Sequence, residues 1–277
     1  MLGNVFSPWY ARARASETSP DPLAFSTMNV ALYGPGARWS LTERRASEVR
    51  RDCDSLAIGA SAMRWERDAL VVDLVERPVS FPKPVRGGVR GRVTLRPRFV
   101  HGEPVALDGE GKHQWWPVAP SARVTVELDE PGLRWEGDGY HDANAGDEAL
   151  ERAFAGWSWS RVVRGDEAVV LYDRMTRAGE RRLHGARYRD GRVEAVEAPR
   201  WCELPASRWG VARATRGDVG SEATVARTLT DAPFYARSVV KTRLLGEEVE
   251  AMHEAVDLER FQSPWVQFLL PFKMRRG

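Results

Sequence analysis

Short apolar or β-branched runs recur between turn signals along the whole chain, and no other feature limits its fold as strongly. They are Met28 to Tyr33, Arg38 to Glu43, Leu70 to Val75, Val89 to Leu95, Arg123 to Leu128, Val162 to Tyr172, Thr224 to Leu229 and Tyr235 to Leu244. Runs of this length, with so little helical periodicity, predict an all-β protein, sandwich or barrel. Helix is expected in two short places. One starts near Asp147 and Glu148, with Leu150 and Phe154 on one face, and the other covers Leu258 to Leu270, interrupted at Pro264. The Pro- and Gly-rich stretch Arg77 to Gly91 reads as a loop or strand edge. Arg-Trp recurs at Arg38-Trp39, Arg64-Trp65, Arg134-Trp135, Arg200-Trp201 and Arg208-Trp209, but at no fixed period, which rejects a propeller. Alternation predicts half-buried tryptophans whose neighbouring arginines face solvent, with cation–π contact secondary.

At 277 residues, 43% of them hydrophobic, the chain can bury a substantial core in one large domain or two ordinary ones. Its 41 basic and 39 acidic residues are dispersed and leave a net charge of +2, which gives a nucleic-acid partner little support. Cys53 and Cys202 lack paired-ligand spacing, so neither a structural zinc site nor a redox motif is expected, and two reduced thiols are favoured over a disulfide. His101, His184 and His253 are isolated and make no metal signature. The N-terminus has no basic head followed by an apolar run, and no stretch reaches the roughly 18 consecutive apolar residues of a spanning helix. The expectation is a cytoplasmic protein, soluble or peripheral.

Two motifs carry chemistry: His113-Gln114-Trp115-Trp116-Pro117 and Asp138-Gly139-Tyr140-His141-Asp142-Ala143-Asn144. A strand sends every second side chain to one face, so His113 points with Trp115, and Asp138 with Tyr140 and Asp142. A carboxylic acid amid aromatic faces suits carbocation chemistry. Each residue also has a plainer explanation: Trp115 as core, Asp142 as a turn former ahead of Ala143-Asn144-Ala145-Gly146, and His113 as an exposed loop residue beside Gly111 and Lys112. Asp52-Cys53-Asp54 reads as the flank of a turn and Trp157-Ser158-Trp159 as core alternation.

Around these motifs stand Gly3-Asn-Val-Phe-Ser-Pro8, Met28-Asn-Val-Ala-Leu-Tyr-Gly34, Trp39-Ser-Leu-Thr-Glu43, Ser55-Leu-Ala-Ile-Gly59, Thr230-Asp-Ala-Pro-Phe-Tyr-Ala-Arg-Ser238 and Ser263-Pro-Trp-Val-Gln267. With them the chain resembles the carotenoid 1,2-hydratases (hydroxyneurosporene synthases) over nearly its whole length. The resemblance implies water addition to the terminal double bond of acyclic carotenoids such as neurosporene or lycopene, with no organic cofactor and no metal. It implies two lipocalin-like antiparallel β halves with a ligand site where they meet. A cut near residue 146 then gives an N-terminal domain, 1–146, carrying the acid site, and a C-terminal domain, 147–277. The His-x-Trp pair is His113 and Trp115 and the Tyr-x-Asp pair is Tyr140 and Asp142; Trp115, Tyr140 and Tyr235 are the substrate-binding candidates. Trp116 and His141 receive no role. The wider superfamily includes polyene cyclases and pericyclases, so the fold alone does not choose the reaction.

Hydrating an unactivated trisubstituted alkene begins with protonation of the less substituted carbon, and water then captures the tertiary cation. The acid must be protonated beforehand. For an aspartate near neutral pH this means raising a pKa of about 3.9 by some 3 units, roughly 4 kcal/mol of differential interaction. Asp142 is the expected acid, with Tyr140 or His113 holding its carboxyl group, Trp115 and Tyr140 stabilising the cation, and His113 placing the water or taking its proton. Asp138 couples to Asp142 only if the strand bends, because four residues span about 13 Å when extended. Two other readings remain open: a lipocalin-like polyene carrier, which needs the aromatics but no protonated acid, and an acid-catalysed polyene cyclase or isomerase. The C-terminal run Phe261 to Phe272, followed by Lys273, Arg275 and Arg276, suits either a peripheral membrane contact or a docked tail.

Overall fold

The computed structural model describes residues 1–16, 20–78 and 87–276. It is all-β, as the alternation predicts, and falls into two compact units that are each assembled from separate stretches of chain. The first comprises Met1–Pro97, Arg123–Gly139 and Gln267–Gly277, and the second Arg98–Ala122 and Tyr140–Val266. This differs from a single cut at residue 146, and it groups Asp142 with most of the C-terminal half.

In the first unit, α1 (Pro8–Ser16) precedes strands β1 (Ser26–Leu32), β2 (Arg38–Arg44), β3 (Val49–Arg51), β4 (Ser55–Ile58), β5 (Ser61–Glu66), β6 (Ala69–Glu76) and β7 (Val89–Pro97). After β8 (Val105–Ala106), the long strands β9 (His113–Glu130) and β10 (Leu133–Gly146) contribute residues to both units. The sheet order is β10-β9-β7-β6-β5-β4-β3, with β8 beside β9. Its core is Met28, Ile58, Leu74, Val89, Val124, Val126 and Leu128, the inward set of alternating strands. The loop expected over Arg77 to Gly91 falls largely on residues 79–86, outside the described residues.

The second unit carries α2 (Leu150–Ala153), β11 (Phe154–Arg164), β12 (Glu167–Thr176), β13 (Arg181–Arg189), β14 (Arg192–Ala195), β15 (Arg200–Leu204), β16 (Arg213–Gly217), β17 (Thr224–Ala232), β18 (Tyr235–Leu244), β19 (Glu247–Asp257), α3 (Leu258–Gln262) and α4 (Pro264–Leu269), the last reaching into the first unit's segment. The short β20 (Arg275–Arg276) pairs in parallel with β2. Seven strands form one sheet, ordered β14-β13-β12-β11-β19-β18-β17. Two expectations are corrected. The run Val162 to Tyr172 is not one strand but the hairpin β11–β12, turning at Gly165 with φ +58°. The helix at Asp147 shrinks to Leu150–Ala153, because Phe154 already belongs to β11.

Local chemistry explains the sheet's geometry. Ala236, Ser238, Val240, Thr242 and Leu244 of β18 alternate inward. The β18–β19 turn is Leu245-Gly246, both at positive φ, the two-residue turn whose twist matches the strands. Asp218 fixes it by accepting from Leu245 N at 3.0 Å and Gly246 N at 2.7 Å. At Gly156 a Cβ would lie 2.3 Å from Val256 O, so only glycine permits the β11–β19 approach there. One sheet face packs Val162, Val169, Leu171, Leu244 and Ala251, and the β15–β16 hairpin reaches that face. Arg216 forks onto Asp173 at 2.8 and 2.7 Å, and His253 Nε2 meets Ala214 O at 2.8 Å.

The Arg-Trp expectation holds only in part, since Trp39, Trp135 and Trp209 are exposed and Arg181 lies 3.8 Å over the Trp201 ring. The C-terminal segment docks Leu258, Phe261 and Val266 and leaves Trp265, Phe268 and Phe272 exposed. No described helix is long and apolar enough to cross a membrane. Both cysteines are free.

His253 is fully buried, and desolvation above all pushes its pKa from 6.5 down to about 4. The folded state therefore keeps it neutral while the unfolded chain takes up a proton, so stability present above pH 6.5 is lost as pH falls toward 4. The whole window corresponds to about 3 kcal/mol. Urea unfolding of wild type and His253→Gln across that range should show the wild type losing more stability; parallel losses would mean that the imidazole is not the titrating group.

Candidate active site

The candidate side chains gather on the other face of the seven-stranded sheet. Direct cross-strand partners share a face, and one row runs Arg237 (β18), Glu254 (β19), Trp159 (β11), Tyr172 (β12), His184 (β13). Trp157 lies two residues along β11, on the same face, with its ring 6.3 Å from Tyr172. The sequence motifs meet this wall. Trp115 is fully buried and sets its ring 5.5 Å from Tyr172 at 87° and 5.5 Å from His184 at 72°. Tyr140 lies 5.2 Å from Trp159.

At the centre is the Asp142 carboxyl. Trp115 Nε1 donates to its Oδ2 at 2.8 Å, and the Tyr140 hydroxyl donates to the same oxygen at 3.1 Å. Tyr140 and Asp142 thus share a face of β10, as alternation predicts, and Asp142 lies in a strand, not a turn. Asp142 is half-buried as a residue. Withdrawal of its carboxyl from water raises its pKa, while the hydrogen bonds from Trp115 and Tyr140, its own backbone N–H and the field of Arg237 pull the other way and do not prevail. Arg237 is bonded to Glu254, which takes up its charge. Burial also raises Tyr140 and Tyr172, the Asp142 charge adding in both, so each hydroxyl stays protonated.

His113 is buried rather than exposed in a loop, and its Nδ1 pairs with Asp108 Oδ2 at 2.7 Å, not with Asp142. It packs edge-on to Phe154 at 5.1 Å near Gly146, at the end where Asp147 N bonds Lys112 O. Tyr235 is half-buried at the start of β18, with the Arg237 guanidinium 5.9 Å over its ring. Asp138 is exposed, so burial raises Asp142 without it. Trp159, Tyr172, His184, Arg237 and Asp108 are not expected at the site from sequence: Trp159 reads as core alternation, His184 as isolated, and Arg237 enters only within the Thr230–Ser238 segment. Asp52, Cys53 and Asp54 lie close together, but all are exposed and the Asp52 carboxylate accepts from the Ser55 N–H and hydroxyl.

With both donors on Oδ2, a proton on the carboxyl belongs on Oδ1. Two donors on one oxygen hold the carboxyl in one orientation.

Residues 1–277 match the family model described as carotenoid hydratase CrtC. Among curated proteins, the chain is 44% identical to an acyclic carotenoid 1,2-hydratase of Thiocapsa roseopersicina, covering 100% of this chain and 68% of that one. It is 39% identical to the enzyme of the same name from Cereibacter sphaeroides, covering 99% and 96%. Among solved structures it resembles a Nitrosomonas europaea protein assigned to AttH, lipocalin-like in fold, at a TM-score of 0.55 and 14% identity, over 83% of this chain and 80% of that one.

A raised carboxyl pKa means that the folded protein retains a proton which the unfolded chain gives up near pH 3.8, so stability falls as pH climbs from there through the folded value. Asn cannot ionise. The melting temperature of Asp142→Asn relative to wild type should therefore rise with pH across this window; a difference independent of pH would show that the carboxyl is not held protonated by burial.

Proposed function

From its place in the carotenoid hydratase family, to which this chain belongs along its full length, we propose that it is an acyclic carotenoid 1,2-hydratase that protonates the terminal double bond from Asp142 and lets water capture the tertiary cation. The observation that carries this reading is the Asp142 carboxyl itself: desolvated, raised in pKa, and held through one oxygen by two neutral donors among aromatic rings. Neutral donors orient the acid without the full charge that would ionise it. A polyene carrier needs the rings but has no use for a buried acid.

The Oδ1–H bond breaks as a C–H bond forms at the less substituted carbon, leaving carboxylate and tertiary cation. Aromatic faces stabilise such a cation by about 0.5 to 2 kcal/mol. The Arg161 guanidinium already lies 5.2 Å over the Tyr140 ring, so Tyr140 serves through its hydroxyl, and ring stabilisation passes to Tyr172 and Trp159. Trp115 works through its N–H, and His113, held by Asp108, anchors the start of β9. Tyr235 joins the substrate contacts through its neighbour Arg237, whose field reaches Asp142. Water and the carotene end are the only reactants this scheme needs.

Incubation with lycopene or neurosporene should yield a product heavier by one water. Run in deuterated water, the alcohol should carry one carbon-bound deuterium beside the new C–O carbon, and the oxygen should come from labelled water. Asp142→Asn should remove about 10² to 10⁴-fold of the rate while the protein stays folded. Near-normal hydration by that variant would dismiss Asp142 as the acid, and a rearranged product of unchanged mass would select the cyclase or isomerase reading.

The exposed Trp265, Phe268 and Phe272 suit an interfacial contact with the membrane that holds the carotene. Replacing the three with Ser should weaken flotation with anionic liposomes; equal flotation would leave the tail a docked element only.

A further inference from the structure

The acid and its aromatic wall account for the cation but not for the water. Around Asp142, the indole N–H of Trp115 and the hydroxyl of Tyr140 are already committed to Oδ2. Trp159 Nε1 is buried without a hydrogen-bond partner, but an indole N–H only donates and cannot take a proton from water. Two groups on the same wall remain unspent. His184 Nε2 is buried and makes no hydrogen bond, and neither does the hydroxyl of Tyr188, a residue with no exposed surface.

We propose that His184, assisted by the Tyr188 hydroxyl, holds the water that captures the cation and accepts its proton. His184 stands directly opposite Tyr172 in the β12–β13 ladder and lies against Trp115, the residue that orients the acid. Tyr188 lies four residues further along β13, on the same face and about 13 Å away at the backbone, with the His101 ring beside it and its hydroxyl acting on that of Tyr140. His101 joins the pair, its ring 5.7 Å from Tyr188 and its field felt at His184. Burial, Arg174 and His101 all lower the His184 pKa, so the imidazole is neutral at neutral pH and has a lone pair to offer when its proton sits on Nδ1. His184 also lines a cleft of about 380 Å³ along β13 and β14, together with Leu183, Ala186, Val193 and Val196.

The step balances without a further reactant. A water lone pair forms the C–O bond to the cation, the oxonium O–H bond breaks toward His184 Nε2, and the imidazolium returns that proton to the Asp142 carboxylate. One alkene and one water become one tertiary alcohol, and both residues are restored.

This inference rests on the acid-first reading, and the experiment separates the two. If capture fails while protonation continues, the cation gives its proton back to Asp142, and deuterium from solvent appears in recovered carotene. In deuterated water with lycopene, His184→Leu should lower hydration about 100-fold and raise the ratio of deuterium in recovered lycopene to alcohol formed. His184→Gln, which can still hold a water, should raise it less. Tyr188→Phe removes a single oxygen and should raise the ratio in the same direction, which decides the matter if His184→Leu does not fold. A ratio equal to wild type in every folded variant overturns the water-holding role and leaves Asp142 untouched; wild-type alcohol without carbon-bound deuterium instead overturns the acid-first reading.

Discussion

Raising the pKa of a carboxylic acid requires taking water away from it without giving it a close counter-charge. Much of the second unit can be understood from that requirement. The groups that touch Asp142 are an indole N–H and a phenol, which orient an oxygen and whose downward pull on its pKa is outweighed by burial. The cation in the same row, Arg237, is bonded to Glu254. Beyond them the wall is aromatic: Trp159, Tyr172 and Trp157 stand on adjacent strands of one sheet face. A lysine or an unpaired arginine at any of these places would favour the carboxylate and weaken the acid.

The same arrangement explains which parts of the molecule could be read from sequence. Alternation is a property of single strands, and where one strand was enough the reading held: Tyr235–Leu244 is β18, and Tyr140 and Asp142 share a face of β10. It failed where two strands abut through a short turn. Val162 to Tyr172 looked continuous because Arg164-Gly165-Asp166-Glu167 interrupts the apolar pattern so briefly. At the site, the acid and its two donors were legible as motifs. Tyr172, Trp159 and His184 were not, since they come to Trp115 and Tyr140 through register across β11, β12 and β13, and spacing along a chain carries no trace of which strands will pair. His113 shows the opposite error: its place in a motif suggested contact with the acid, whereas Asp108, five residues away, holds it.

The likeness to an AttH-type structure at low identity fits this division. Strand order and sheet packing are tolerant of substitution, whereas the acid depends on a few side chains. The hairpin turn at Leu245-Gly246 and the tight approach at Gly156 belong to the first kind of constraint, set by backbone and not by chemistry.

In the row that runs from Arg237 through Glu254, Trp159 and Tyr172 to His184, three steps join strands adjacent in sequence and only the Glu254–Trp159 step, between β19 and β11, joins residues far apart in the chain. A pairing of that separation carries a larger loop-closure entropy than the hairpins on either side of it. Without that step the aromatic face is incomplete and Asp142 is an ordinary, hydrated aspartate. The raised pKa is therefore a property of the assembled sheet and not of the Tyr140–Asp142 motif by itself.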